Sequence, residues 1–258
     1  MNILAIMAHQ DDVEFQCAGS LALLKKLGHK VGIVTVNNGS CGTTELRPDE
    51  IAAIRAREAR SAADLIGAEY YCVGTPDLES VFDNDHRRRV CEIVRNFAAG
   101  VVIAPYPADY MSDHEVAGRL ARDATFTAAL PNYPTHAAKP SPRLAHIPHL
   151  YYCLPVEGLD HFGNRVTPSF AIDISGVLEE KAKMLCCHAS QREWLLKQHG
   201  MDEYVEFMKR EAKRVGALAG FAFGEGFIQH LGHAYPRNNV LAELLPSKSI
   251  KHERKQAD

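Results

Sequence analysis

The sequence predicts an α/β fold, a mostly parallel sheet with helices on both faces. Three observations predict it. Short apolar runs alternate with helical patterns from residue 2 to about residue 129. The connections between them are short, as in βαβ units. The first apolar run also ends abruptly in an imidazole and two carboxylates, at the edge where open α/β sheets bind ligands.

Taken in order, Asn2 to Ala8 reads as a strand buried on both faces. A helical pattern runs from about Gln16 to Leu27 and stops at Gly28. Val31–Val36 is a second strand, and residues 37–44 form a loop of small and polar residues. Pro48 opens a helix over about Asp49–Ile66, closed by Gly67. Glu69–Val73 is a third strand, Asp85–Ala99 a helix, Val101–Ala104 a fourth strand and Glu115–Ala129 a further helix. The second half is less regular. Leu130–Pro148 carries five prolines and reads as a long surface excursion. His149–Leu154 and Ser169–Ile174 are strand candidates, with Ser175 placed to cap a helix reaching Cys187. Helices over Gln191–Gln198 and Glu203–Leu218 follow, then a strand or turn at Phe221–Phe227. Without repeats or low-complexity linkers, the simplest parse is one domain over residues 1–246 and a charged tail over 247–258.

A hydrophobic content of 46% and a charged content of 24% are those of a soluble globular protein. A net charge of −3 gives no electrostatic footprint for nucleic acid or an anionic membrane. The first residues show no basic n-region and no cleavage site, so a classical signal peptide is not expected, and no apolar run approaches the ~18–20 residues that cross a bilayer. Seven cysteines without a C-x-x-C read as packed, reduced thiols, so a cytoplasmic location is expected. Composition leaves a homo-oligomer open. No G-x-G-x-x-G follows the first strand, which argues against a dinucleotide site.

The chemistry-bearing stretch is His9-Gln10-Asp11-Asp12. Imidazole nitrogen and carboxylate oxygen both bind zinc-like ions. The loop after the fourth strand supplies Asp109, Asp113 and His114, at the same sheet edge. His9, Asp12 and His114 would then leave a fourth position open, as catalytic zinc requires. Adjacent residues do not easily share one ion, so one of Asp11 and Asp12 can ligate it while the other faces the water.

These residues also resemble a known family, the PIG-L/LmbE-like N-acetylglucosaminyl deacetylases. His9-Gln10-Asp11-Asp12 is similar to its H-P-D-D motif, and Asp109-Tyr110-Met111-Ser112-Asp113-His114 to its D-x-H-P-D-H. Arg55-Ala56-Arg57-Glu58 and the segment from Lys181 to His188-Ala189-Ser190-Gln191 fit two further motifs. The resemblance implies a Rossmann-like fold and a metal-dependent amide hydrolase, with Zn2+ or another divalent transition metal as cofactor. The substrate it implies is a small acylated amino sugar or related conjugate. Carried over, His9, Asp12 and His114 are metal ligands, Asp11 is the general base, and Asp113 orients a neighbouring catalytic group. Arg55 and Asp77 match substrate-holding positions. Gln10 stands where the family has proline, which should loosen the turn. Met111 stands where it has a histidine suited to the oxyanion, and a thioether donates no proton.

Two other readings compete: a binding protein that keeps the metal pocket without turnover, and a metal phosphohydrolase. The second lacks a phosphate-binding glycine loop. Specificity is expected in the Gly39–Pro48 and Leu130–Pro148 loops. Glu58 is expected to pair along its helix, and His188 to be structural. One of His136, His146, His149 and His161 is a further candidate to reach the site.

Overall fold

The computed structural model describes residues 1–199 and 203–250. The first half alternates as expected: β1 (Asn2–Met7), α1 (Asp12–Gln16), α2 (Ala18–Lys26), β2 (Lys30–Asn37), α3 (Pro48–Leu65), β3 (Glu69–Thr75), α4 (Asn84–Phe97), β4 (Val101–Ala104) and α5 (Ser112–Thr127). The second half adds β5 (His149–Cys153), β6 (Phe170–Asp173), α6 (Leu178–Cys186), α7 (Ala189–His199), α8 (Glu203–Ala219), β7 (Gly224–Gln229), α9 (Val240–Leu244) and β8 (Ser247–Ser249). They form one sheet in the order β3-β2-β1-β4-β5-β7-β6-β8. Pairs from β3 to β5 are parallel, and those from β5 to β8 antiparallel.

Period-two alternation along β1 divides the core. Ile3, Ala5 and Met7 point into one apolar layer with α2, α6 and α8; Leu4 and Ile6 point into the other with α4 and α5. Gly32 of β2 lets α4 lie close, because a Cβ there would meet the Phe97 ring at 2.7 Å. The Asp83 carboxylate caps α4 by accepting the His86 N–H at 2.9 Å. Among the described residues no helix is long and apolar enough to cross a membrane.

Several expectations are corrected. The helix expected over Gln16–Leu27 is two helices broken at Cys17, and the first begins at Asp12, inside the chemistry-bearing turn. Ser175 does not cap a helix. Its Oγ donates to Asp173 at 2.6 Å, and α6 starts only after a 3-10 turn at Ser175–Val177. Ser247–Ser249, expected in the tail, pairs with β6, while 251–258 lie outside the described residues. Helix α9 was not anticipated at all.

One buried ion pair ties the two halves together. Glu225 of β7 accepts from Lys181 Nζ at 2.5 Å, from the Gly19 N–H at 2.9 Å, and from the Ser20 N–H and Oγ at 2.7 and 2.6 Å. Lys181 also donates to the Phe15 carbonyl at 3.1 Å. Both side chains are at most 2% exposed. Every polar atom therefore has a partner, which is the condition under which a buried pair is tolerated. Removing only the cation strands the carboxylate. Lys181→Met is expected to lower unfolding free energy by about 3–5 kcal/mol in urea titrations; an unchanged midpoint would contradict this account.

Candidate metal centre and cavity

The turn between β1 and α1 is held by its own residues. The His9 backbone N–H donates to Asp12 Oδ2 at 2.7 Å. Gln10 does not loosen the turn as expected, because its Nε2 reaches the carbonyl of Asn37 at the end of β2, 2.9 Å away. Asp11 stands at the helix N-cap yet makes no capping bond. Its carboxylate turns outward instead, accepting from Arg55 Nη2 at 3.2 Å and from the Tyr204 hydroxyl at 2.6 Å.

β1 and β4 are neighbours, so the turn after β1 meets the start of α5. There imidazoles and carboxylates alternate in one chain. Asp109 Oδ1 lies 3.0 Å from His114 Nδ1, and His114 Nε2 lies 3.4 Å from Asp12 Oδ1. Asp12 Oδ2 lies 3.8 Å from His9 Nδ1, and His9 Nε2 lies 3.1 Å from Asp113 Oδ2. The outer nitrogen of each ring is thus fixed by a carboxylate, and the inner nitrogen faces Asp12. Ligand atoms of His9, Asp12 and His114 lie within 4.8 Å of one another, close enough to hold one metal ion. The fit is chemical as well. Two imidazoles and a carboxylate suit a zinc-like ion, whose tetrahedral ligands stand roughly 3.3 Å apart at bond lengths near 2.0–2.1 Å. The outer carboxylates set the ring orientation such ligands need.

The electrostatics favour a cation here. Burial opposes charge on both histidines, but the acids outweigh it. Asp12 and Asp109 push His114 up to about 11, and Asp113 and Asp12 raise His9. Asp12, despite its own burial, is held well below the usual carboxylate range by His114 and His9. Burial and the neighbouring Asp11 push the Tyr204 phenol far up, so it remains a neutral donor.

Other expected residues take places the sequence did not specify. Asp113 also accepts from the Leu78 N–H and from Ser80 Oγ, both at 2.9 Å. Asp77 accepts the N–H groups of Gly39 and Cys41 at 2.8 and 2.9 Å, so both its oxygens hold the loop after β2. Arg55 is 4% exposed and packs under that loop; a Cβ at Gly39, whose φ is +80°, would meet its Cδ at 2.6 Å. Glu58 does not pair along α3 but accepts from the Ser190 N–H and Oγ at 2.8 and 2.7 Å. Gln191 Nε2 donates to the Gly42 carbonyl at 3.0 Å, closing the same loop from α7. His188 is fully buried, its Nε2 3.4 Å from Glu14 Oε2.

A cavity of about 710 Å³ opens beside the cluster. His9, Asp11, Asp12, Met111 and His114 line one end, and Tyr110 stands at the same end with its ring edge-on to His114 at 5.4 Å. Cys41 and Gly42 of the first expected specificity loop reach it. Leu130–Pro148 does not, and neither do His136, His146, His149 or His161; His161 pairs with Glu115 at 2.7 Å instead. The missed wall is α8, with Tyr204, Phe207, Ala212 and Val215. The sequence marked α8 only as a helix. Glu225, alone between two glycines, was the one local signal of a buried carboxylate on β7.

Known proteins resemble the chain in sequence and in fold. The PIG-L family model, described as GlcNAc-PI de-N-acetylase, matches residues 4–125. The diacetylchitobiose deacetylase of Thermococcus kodakarensis is 25% identical, over 87% of this chain and 81% of its own. The 4-oxalmesaconate hydratase of Pseudomonas putida is also 25% identical, over 95% and 88%. Among solved structures, N,N'-diacetylchitobiose deacetylase from Pyrococcus horikoshii shares 25% identity at a TM-score of 0.75, covering 93% of this chain and 88% of that one. In its sequence over residues 4–125 and in its fold over nearly the whole chain, the protein is similar to the PIG-L/LmbE-like family.

Proposed function

We propose that the protein is a zinc-dependent hydrolase that removes an N-acetyl or other N-acyl group from an amino sugar or related small conjugate. One observation carries this reading: the inner nitrogens of His9 and His114 both face Asp12, beside a carboxylate, Asp11, that caps nothing and lines the cavity. An ion held by His9, Asp12 and His114 would polarise an amide carbonyl and bring the pKa of water toward 7. Asp109 and Asp113 keep the rings turned inward. Asp11 takes the proton of the attacking water and returns it to the leaving amine. Arg55 and Tyr204 hold Asp11 in place for both transfers. The cytoplasm fits a chain whose seven cysteines are all free.

The hydratase relative raises a second reading, addition of water to a carboxylate-bearing substrate. Such a substrate calls for uncompensated cations. Among the described residues, Arg55, Lys181 and Arg214 are the Lys and Arg side chains on the cavity wall, and they pair with Asp11, Glu225 and Glu211. The cavity is acidic on balance, which suits a neutral amide and a departing amine. Acetate release from a panel of N-acetylated sugars, set against hydration of unsaturated dicarboxylates, decides between them.

Purified protein is expected to hold about one divalent ion per chain, lost in His114→Ala and kept in Asp11→Asn. Asp11→Asn should still lower turnover by roughly 10²–10⁴. Elemental analysis alongside kinetics checks both; equal metal content in wild type and His114→Ala would remove the ligand assignment. The protonation of His114 sets the pH dependence. With a pKa of about 11, the ring carries a proton at pH 7 in the ion-free protein, and an incoming ion must displace it. Binding should release at least about one proton, and apparent affinity should fall at least about tenfold per pH unit as pH drops. Calorimetry in buffers of different ionisation enthalpy measures the release. Met111 donates no hydrogen bond, whereas the phenol of Tyr110, pushed up to about 12 by burial and by Asp12, stays protonated. Tyr110→Phe is therefore expected to cost about 10²–10³ in kcat, with little gain from Met111→His. The reverse pattern would mean that the oxyanion lacks a donor.

A further inference from the structure

His9 has two ring nitrogens, and the metal centre uses one of them. Nδ1 faces Asp12. Nε2 faces the other way, 3.1 Å from Asp113 Oδ2. A third group joins them on that outer side. Ligand atoms of His9, Asp77 and Asp113 lie within 4.8 Å of one another, as those of His9, Asp12 and His114 do. Asp77 comes from the turn after β3 and Asp113 from the first turn of α5.

Geometry and chemistry both fit a cation here. Two ligands of a tetrahedral zinc-like ion stand roughly 3.3 Å apart, close to the 3.1 Å between Nε2 and Oδ2. The carboxylates are already held in place. Asp77 accepts the Gly39 and Cys41 N–H groups, and Asp113 accepts the Leu78 N–H and Ser80 Oγ. Each oxygen keeps a lone pair for an ion, and ligating carboxylates are ordinarily hydrogen-bonded in this way. Both are buried, so water screens their repulsion poorly. One imidazole balances at most one of the two charges. His9, Asp77 and Asp113 all line the cavity, which gives an ion its way in. The other outer pair, His114 Nδ1 and Asp109 Oδ1 at 3.0 Å, lacks these features. Asp109 does not line the cavity, and among the described residues no third ligand joins the pair.

We infer that His9, Asp77 and Asp113 form a second, weaker site for a divalent transition ion, which shares the His9 ring with the first. The inference rests on His9 serving the first ion, and not on the substrate or the reaction. The second ion replaces the proton between Nε2 and Asp113, and that proton leaves to solvent. The ring then bridges two cations. It loses the carboxylate contact that makes it a basic ligand, a loss that costs about 10–100-fold in metal affinity. Binding at either site therefore weakens the other by the same factor. Metal beyond one equivalent loosens the centre that the first equivalent builds.

Titration of the metal-free, full-length protein with Zn2+ tests it. Elemental analysis should give about two ions per chain in excess Zn2+ and about one when Zn2+ is limiting. Calorimetry should show two steps, the second at least about 10-fold weaker. Crystals in excess Zn2+ should show a second anomalous peak between His9 Nε2, Asp77 and Asp113. Asp77→Asn should lose that peak and the second step while keeping the first. If Asp77→Asn does not fold, diffraction from the wild type decides alone. A stoichiometry that stays at one overturns the inference. So does a second ion lodged elsewhere, which would be an adventitious ion only. Diffraction locates each ion separately, so the two readings fail separately. No peak at Nδ1 removes the first site, and none at Nε2 removes the second.

Discussion

The site depends on an alternation of charge. From Asp109 through His114, Asp12 and His9 to Asp113, acid and base alternate over five side chains, with neighbouring atoms 3.0 to 3.8 Å apart. Two bases against three acids leave the chain one positive charge short, even with both rings protonated. Water cannot screen that deficit, because Asp109, Asp113 and His114 are at most 3% exposed. The central gap around Asp12 is therefore where a cation gains most, and the rest of the local structure serves to hold the five groups in line. β1 and β4 must be adjacent, α1 must start at once after β1, and α5 must present its first turn to the same edge.

Much of this was legible in the sequence. The alternation of apolar runs and helical patterns is strong in residues 2–129, where buried parallel strands read as continuous hydrophobic stretches. His9, Asp12 and His114 could be paired from their places after strands alone. What the sequence could not carry were contacts across long separations. Tyr204 reaches Asp11 over 193 positions, and Glu225 reaches Ser20 over 205. Tyr204 sits in no local pattern that announces a partner, and the glycines flanking Glu225 mark burial without naming one. Glu58 was expected to pair along its own helix, the commonest arrangement for a helical glutamate, but α7 docks near enough for its first turn to claim the carboxylate. The Leu130–Pro148 loop misled for a different reason. Length and proline content report irregular backbone, not direction, and this loop does not reach the cavity.

Loop closure around the site shows how ordinary residues acquire fixed roles. Asp77 gathers the N–H groups of Gly39 and Cys41, Arg55 fills the space beneath, and Gln191 holds Gly42 from outside. All three are polar and mostly buried, and Asp77 and Gln191 satisfy backbone groups that an irregular segment would otherwise leave without partners. The cavity rim after β2 is thereby as firmly built as the sheet edge beside it.

The sheet joins five parallel strands to an antiparallel extension, and the histidines and acids of the metal cluster all come from the parallel part. Most of the apolar wall comes from residues beyond position 149. Chemistry and selectivity are thus inherited from different stretches of one chain. A lineage that rebuilds α8 and the segment after β5 can change its diet without relearning its reaction. Divergence should accumulate in the second half while the first stays recognisable. The family model matches residues 4–125, the stretch that holds the cluster, and most of the apolar wall lies outside it.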